Sequence, residues 1–244
     1  MKRFRRIIGV VTVAALALAL ATGVTAQSKA PEKNATGASN APYPAALLKP
    51  AALAAKAPEV FEVKFVTTKG DFTVKVTRAW APQGADRFYN LVQNKFYDGA
   101  AFFRVVREPQ PFVVQFGLSP FPDVSKAWMG ARIQDDPVVK SNTRGFVTYA
   151  MAGANTRTTQ LFINLGDNSR LDAMAFSPFG EVTQGMEVVD QLYAGYGEGA
   201  PRGNGPRQDL IQTQGKAYLE KDFPLLDTVK SARIVTPQPP NAQP

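Results

Sequence analysis

The 244-residue chain contains no cysteine and no histidine. Without cysteine there is no disulfide, no thiolate metal ligand and no thiol nucleophile. Without histidine, Ser-His-Asp and Cys-His catalysis and imidazole-held metals are excluded. Carboxylates alone could hold a metal, but no acidic cluster has that pattern, so neither a metal nor any other cofactor is expected. Acidic residues are also missing before Glu32, whereas Lys2, Arg3, Arg5 and Arg6 supply four of the net +8 charges. The rest of the chain carries only about +4, which implies a mildly basic surface rather than nucleic-acid binding. A long apolar run is lacking as well. The run from Ile7 to about Leu20 falls short of the roughly 20 residues a membrane span needs.

That short run follows a basic start and leads to Val24-Thr25-Ala26, a small-x-small cleavage pattern. Residues 1–26 therefore read as a signal peptide, which places the mature chain in the periplasm or otherwise outside the cytoplasm. Kept uncleaved, the same segment would be an N-terminal anchor; after processing no stable membrane span is expected. No cysteine stands near the cleavage point, so lipid attachment there is excluded. Residues 27–57, rich in Ala, Pro, Asn, Ser and Lys, read as a flexible tether, and 237–244 as a disordered tail. The folded body is expected over 58–236, large enough for one core and taken as a monomer.

The body opens with alternation, Val60-Phe61-Glu62-Val63-Lys64-Phe65-Val66-Thr67, then a Lys69-Gly70 turn, then Asp71-Phe72-Thr73-Val74-Lys75-Val76. This is a β-hairpin pattern. Residues 81–94 have helical spacing, with Ala85, Phe88, Leu91 and Val92 on one face and Pro82 in the first turn. Further strands are expected at 102–106, 112–117, 145–150, 160–164, 179–182 and 229–235, and a second helix at 185–192. Residues 118–144 read as irregular, and the Gly/Pro-rich stretch 197–205 as a surface loop. That stretch lacks the Gly-Lys-Ser/Thr of a phosphate loop. Many strands with two helices argue for a mainly antiparallel barrel whose open ends the helices cover.

One residue breaks the apolar pattern. Arg104 stands in Phe102-Phe103-Arg104-Val105-Val106, and Gln115 in Phe112-Val113-Val114-Gln115-Phe116-Gly117. A guanidinium cannot shed its charge, and burying it unpaired is costly. A partly apolar groove whose few polar groups aim at a ligand would explain both residues. An ion pair between Arg104 and an acid on the sheet surface would explain the arginine alone.

These segments resemble the cyclophilin family of peptidyl-prolyl cis-trans isomerases. The likeness rests on three motifs: the Arg104/Gln115 pair of strands, Tyr149-Ala150-Met151-Ala152-Gly153-Ala154-Asn155-Thr156-Arg157-Thr158-Thr159-Gln160-Leu161-Phe162-Ile163, and Leu171-Asp172-Ala173-Met174-Ala175-Phe176-Ser177-Pro178-Phe179-Gly180-Glu181-Val182. The resemblance implies a closed eight-stranded antiparallel barrel capped by two α-helices, with the substrate groove on its outer face. It implies Arg104 as catalytic cation, Gln115 as the hydrogen-bonder of the substrate backbone, and Phe112 beside them. Substrate would lie against Val113, Ala150, Met151, Gln160, Phe162, Leu171 and Phe176. Phe103, Phe116, Met151 and Arg170 depart from the family's usual residues, and Phe176 stands in for a pocket histidine. The implied activity is rotation of X-Pro bonds in unfolded or exported polypeptides. The alternative is a proline-peptide-binding module or chaperone of the cell envelope without useful turnover.

Overall fold

A computed structural model describes residues 41–235. The expected signal peptide, the tether up to residue 40 and the tail lie outside the described residues. Eight strands form one sheet: β1 Val60–Thr67, β2 Asp71–Thr77, β3 Arg104–Val106, β4 Val113–Phe116, β5 Phe146–Tyr149, β6 Leu161–Asn164, β7 Pro178–Gln184 and β8 Val229–Val235. Their order is β3-β4-β6-β5-β7-β2-β1-β8, every neighbouring pair antiparallel. The α-helices are α1 Pro82–Gln93, α2 Pro122–Trp128, α3 Met186–Asp190, α4 Gln208–Gln214 and α5 Lys216–Asp222.

The sheet curls but does not close, which corrects the expected closed barrel. Strands β3 and β8 are its two edges and do not pair with each other. The seam between them is stitched by the segment before β3 and by residues 227–229 at the start of β8. Gly99 donates to Val229, Phe102 to Asp227 and Val229 to Ala100, at 2.7, 3.0 and 2.9 Å. Strand β3 itself is only three residues long.

The strict alternation of β1 and β2 turns Phe61, Val63, Phe65, Phe72, Val74 and Val76 inward. There Phe65 stacks on Phe72 with centroids 4.8 Å apart and meets Phe116 edge-on at 5.8 Å. Helix α1 buries the face its spacing marks, with Phe88 against Phe179 at 5.0 Å. Burial of such side chains is the main stabilising term, about 1.5–3 kcal/mol each.

The described residues hold five α-helices where two were expected, and two regions read otherwise in the sequence also differ. Residues 41–57, read as tether, pack on the body: Leu47 is buried and its carbonyl accepts from the Trp128 indole at 2.8 Å. The Asn90 amide on α1 both accepts from and donates to the Ala55 backbone. The stretch 118–144, read as irregular, contains α2. Among the described residues no helix is long and apolar enough to cross a membrane.

Candidate active site

Strand parity builds the site. On β4, Val114 and Phe116 enter the core, so Val113 and Gln115 face outward. On β6, Leu161 and Ile163 enter the core and Phe162 faces outward. Register then aligns Arg104, Gln115, Phe162 and Thr148 in one row across four adjacent strands. The polar pair and the apolar floor thus sit side by side on the outer face.

The row is tied laterally. Arg104 Nη1 donates to Gln115 Oε1 at 3.0 Å, and Gln115 Nε2 donates to Gln160 Oε1 at 2.9 Å. Gln115 is only 7% exposed, so this chain satisfies an amide that burial would otherwise penalise. The Arg104 guanidinium also lies 5.4 Å from the centroid of the Phe112 ring, within reach of a cation–π attraction, and Arg170 lies at 4.9 Å from the same ring.

Beside Arg104 opens a hollow of about 320 Å³. Nine of the ten side chains singled out from the sequence line it: Arg104, Phe112, Val113, Gln115, Ala150, Met151, Phe162, Leu171 and Phe176. Gln160 does not reach it and acts on Gln115 instead. Val113, Phe162 and Leu171 form its buried floor, with Phe176 edge-on to Phe162 at 5.7 Å. Met174 and Arg202 also line it and were not anticipated. A larger hollow of about 400 Å³ lies between residues 42–44 and α5. It holds none of the predicted side chains, so convergence of a cation, an amide and an apolar floor identifies the site better than size.

A polar frame holds the floor. Leu171 sits on a 3-10 turn, Ser169–Met174. Asp172 in that turn accepts from Ser141 Oγ and from both the backbone and side-chain amides of Asn142, at 2.5, 2.9 and 2.7 Å. Burial pushes the Asp172 carboxyl up, but these hydrogen bonds outweigh it and hold it below its ordinary value. Asn168 ties the start of the turn to the Phe112 carbonyl at 2.8 Å. Phe162→Ala should open this floor. We expect proline-peptide affinity to fall about tenfold or more, read by titration, with a smaller change in the saturated rate.

One partner was missed entirely. Glu198, in the stretch read as a surface loop, grips Arg104: Nε to Oε1 at 2.6 Å and Nη2 to Oε2 at 2.7 Å. The Arg104 hydrogen bonds hold its carboxyl below the usual range, with burial opposing. Arg104 is therefore paired with an acid, as one sequence-based explanation has it, and also stands beside an open hollow. No local signal marks Glu198, which is 94 residues away in sequence. Phe103 has a related explanation. It packs with Leu118, Ile211, Tyr218 and Leu219 in a second small core under α4 and α5.

The family described as cyclophilin type peptidyl-prolyl cis-trans isomerase/CLD matches residues 62–212, more than half of the chain. The chain belongs to the cyclophilin-type peptidyl-prolyl isomerase family. It is thus an isomerase enzyme with a cyclophilin-like fold. Among its relatives is the peptidyl-prolyl cis-trans isomerase of Acinetobacter baylyi, 33% identical over 137 residues, covering 53% of this chain and 70% of that protein. Another is peptidyl-prolyl cis-trans isomerase-like 3 of Rattus norvegicus, 32% identical over 130 residues, covering 52% of this chain and 78% of that protein. A crystal structure of a Cryptosporidium parvum cyclophilin-type isomerase superposes with a TM-score of 0.55 at 17% identity, over 73% of this chain and 99% of that one. The same protein was also crystallised in the presence of the dipeptide Ala-Pro, with a TM-score of 0.53 to this chain. Within this cyclophilin-type chain, the match runs through the Arg104 row, the hollow and the Glu198 loop alike.

Proposed function

We propose that the chain accelerates rotation of X-Pro bonds in exported polypeptides, with Arg104 stabilising the twisted amide. The observation that carries this reading is a fixed guanidinium at the edge of an open apolar hollow large enough for a proline ring. Rotation breaks amide resonance against a barrier of about 18–20 kcal/mol. As the bond twists, the prolyl nitrogen becomes pyramidal and gains a lone pair. A guanidinium N–H can donate to that lone pair, an interaction stronger in the transition state than in the ground state. The hollow formed by Val113, Phe162 and Leu171 takes the ring and keeps water from the nitrogen, and Gln115 holds the peptide backbone. The Ala-Pro dipeptide crystallised with a relative of the same fold agrees with a proline ligand. The signal-like residues 1–26 support an extracytoplasmic site of action, where slow prolyl steps limit folding of newly exported chains.

The mechanism moves no proton, and the chain has no histidine or cysteine to move one. Isomerisation of a proline tetrapeptide should therefore vary less than about twofold between pH 6 and 9, measured by a protease-free assay. A bell-shaped profile would refute the mechanism. Peptide binding by titration without any catalysed exchange would instead support a binding module. Fractionation of cells expressing the full chain tests the location: recovery in the cytoplasm alone would remove the exported-substrate reading.

A further inference from the structure

The Glu198 loop is built around its carboxylate. Gly205 N–H donates to the Glu198 carbonyl at 2.9 Å, and Ala200 N–H to the Gly205 carbonyl at 3.2 Å, closing residues 198–205 on themselves. Gly199 N–H donates to Glu198 Oε1 at 2.9 Å, fixing the side chain from its own backbone. A methyl group at Gly203 would lie 2.3 Å from the Glu198 carbonyl oxygen and 2.9 Å from its Cβ. At Gly205 the distance to that oxygen would be 2.8 Å. Glycine is thus required at both positions by close approach to Glu198. Flanking aromatics root the loop: Tyr196 meets Tyr193 at 5.1 Å and Phe223 at 5.0 Å, and the Tyr218 hydroxyl accepts from Arg207 N–H at 3.1 Å.

The carboxylate lies beside the guanidinium and does not line the proline hollow. Glu198 lines a separate hollow of about 260 Å³ that shares Arg104, Gln115 and Arg202 with the proline hollow. Its fork uses Nε and one N–H of Nη2, and Gln115 uses one N–H of Nη1. A guanidinium has five N–H groups, so each terminal nitrogen keeps one. The cation is held along one edge by Glu198, at one corner by Gln115 and on one face by Phe112.

We propose that Glu198 is a positioning residue for Arg104, orienting the guanidinium so that its unspent N–H groups meet the prolyl nitrogen. This rests on the reading of Arg104 as the group that meets the twisted amide. An arginine side chain left to itself would sample many rotamers, and freezing it beforehand removes that entropy loss from the activated step. The anion also reduces the net charge at the site.

Two-dimensional exchange NMR on a proline tetrapeptide decides this, because it yields the saturated rate and the affinity separately. The full chain is compared with Glu198→Gln, Gly203→Ala and Arg104→Ala. Glu198→Gln should lower kcat about tenfold while KM stays within about twofold, with an unchanged thermal transition. Gly203→Ala should show the same split, because it displaces the carboxylate without altering its charge. A loss in Arg104→Ala with none in Glu198→Gln would overturn the positioning role and leave the isomerase mechanism standing. A rise in kcat on Glu198→Gln would overturn it too, since Glu198 would then compete for the guanidinium. Full activity of Arg104→Ala would remove the underlying reading.

Discussion

Replacing Arg104 by alanine should lower turnover of a proline tetrapeptide by about two to three orders of magnitude, the usual penalty for deleting one donor aimed at developing charge. The proline hollow would survive, because its floor is made by Val113, Phe162 and Leu171 rather than by the guanidinium. Peptide binding should therefore change far less than rate. Each factor of ten corresponds to about 1.4 kcal/mol of transition-state stabilisation. Arg104→Lys should recover little of the loss. A lysine ammonium keeps the charge, but it is a compact donor that cannot fork to Glu198 while bonding Gln115 and lying over Phe112. The alanine variant leaves Glu198 unpaired, so its unfolding must be measured alongside. Turnover within threefold of wild type in a folded Arg104→Ala protein would refute the mechanism.

The second large effect concerns stability. Arg157 is 1% exposed and its Nη1 lies 3.0 Å from Asp136, which is itself buried. Its Nη2 donates to the Gln134 carbonyl. Its Nε lies 3.2 Å from Asp135 Oδ1 without hydrogen-bond alignment, so that contact is Coulombic only. Asp136 also accepts from the backbone N–H of Gln83 and Gly84, both at 2.9 Å. It therefore caps helix α1 from about 50 residues away, where the local N-cap, Ala81, has no side chain for the task. Removing either partner strands a buried charge. Asp136→Ala or Arg157→Ala should each lower unfolding free energy by about 3–5 kcal/mol in urea titrations. In a protein of this size that is a fall of roughly 6–20 °C in the thermal midpoint. A loss below about 1 kcal/mol would mean that the pair is dispensable.

Much of this was legible in the chain because it is written at short range. Alternation marks β1 and β2, and β8 runs over the residues expected for it. The face of α1 follows from Ala85, Phe88, Leu91 and Val92. Arg104, Gln115 and Phe162 were implied by the resemblance, whereas the register that aligns them in one row is a long-range property. What stayed hidden depends on contacts distant in sequence. Helix α2 carried a weak sign, Pro122 followed by Asp123 in the first turn, but it is secured by Trp128 reaching Leu47, 81 residues earlier. Helices α4 and α5 left apolar pairs at Leu210-Ile211 and Tyr218-Leu219, which make sense only with Phe103 beneath them. That β3 and β8 stand unpaired at the two edges is likewise a long-range outcome that composition does not reveal. The grip of Glu198 on Arg104 is of the same kind, an acid in a glycine-rich stretch that folding alone brings to its target.

The position of β8 bears on the timing of biosynthesis. Strand β1 pairs with β2 through a short hairpin, but its other neighbour spans residues 229–235. The seam across the curl likewise needs residues 227–229. A nascent chain halted anywhere short of that point exposes one flank of β1 as a bare row of amides and carbonyls, ready to template another polypeptide. Completion must await residues 227–235. This isomerase would then depend on a late, long-range step in its own maturation.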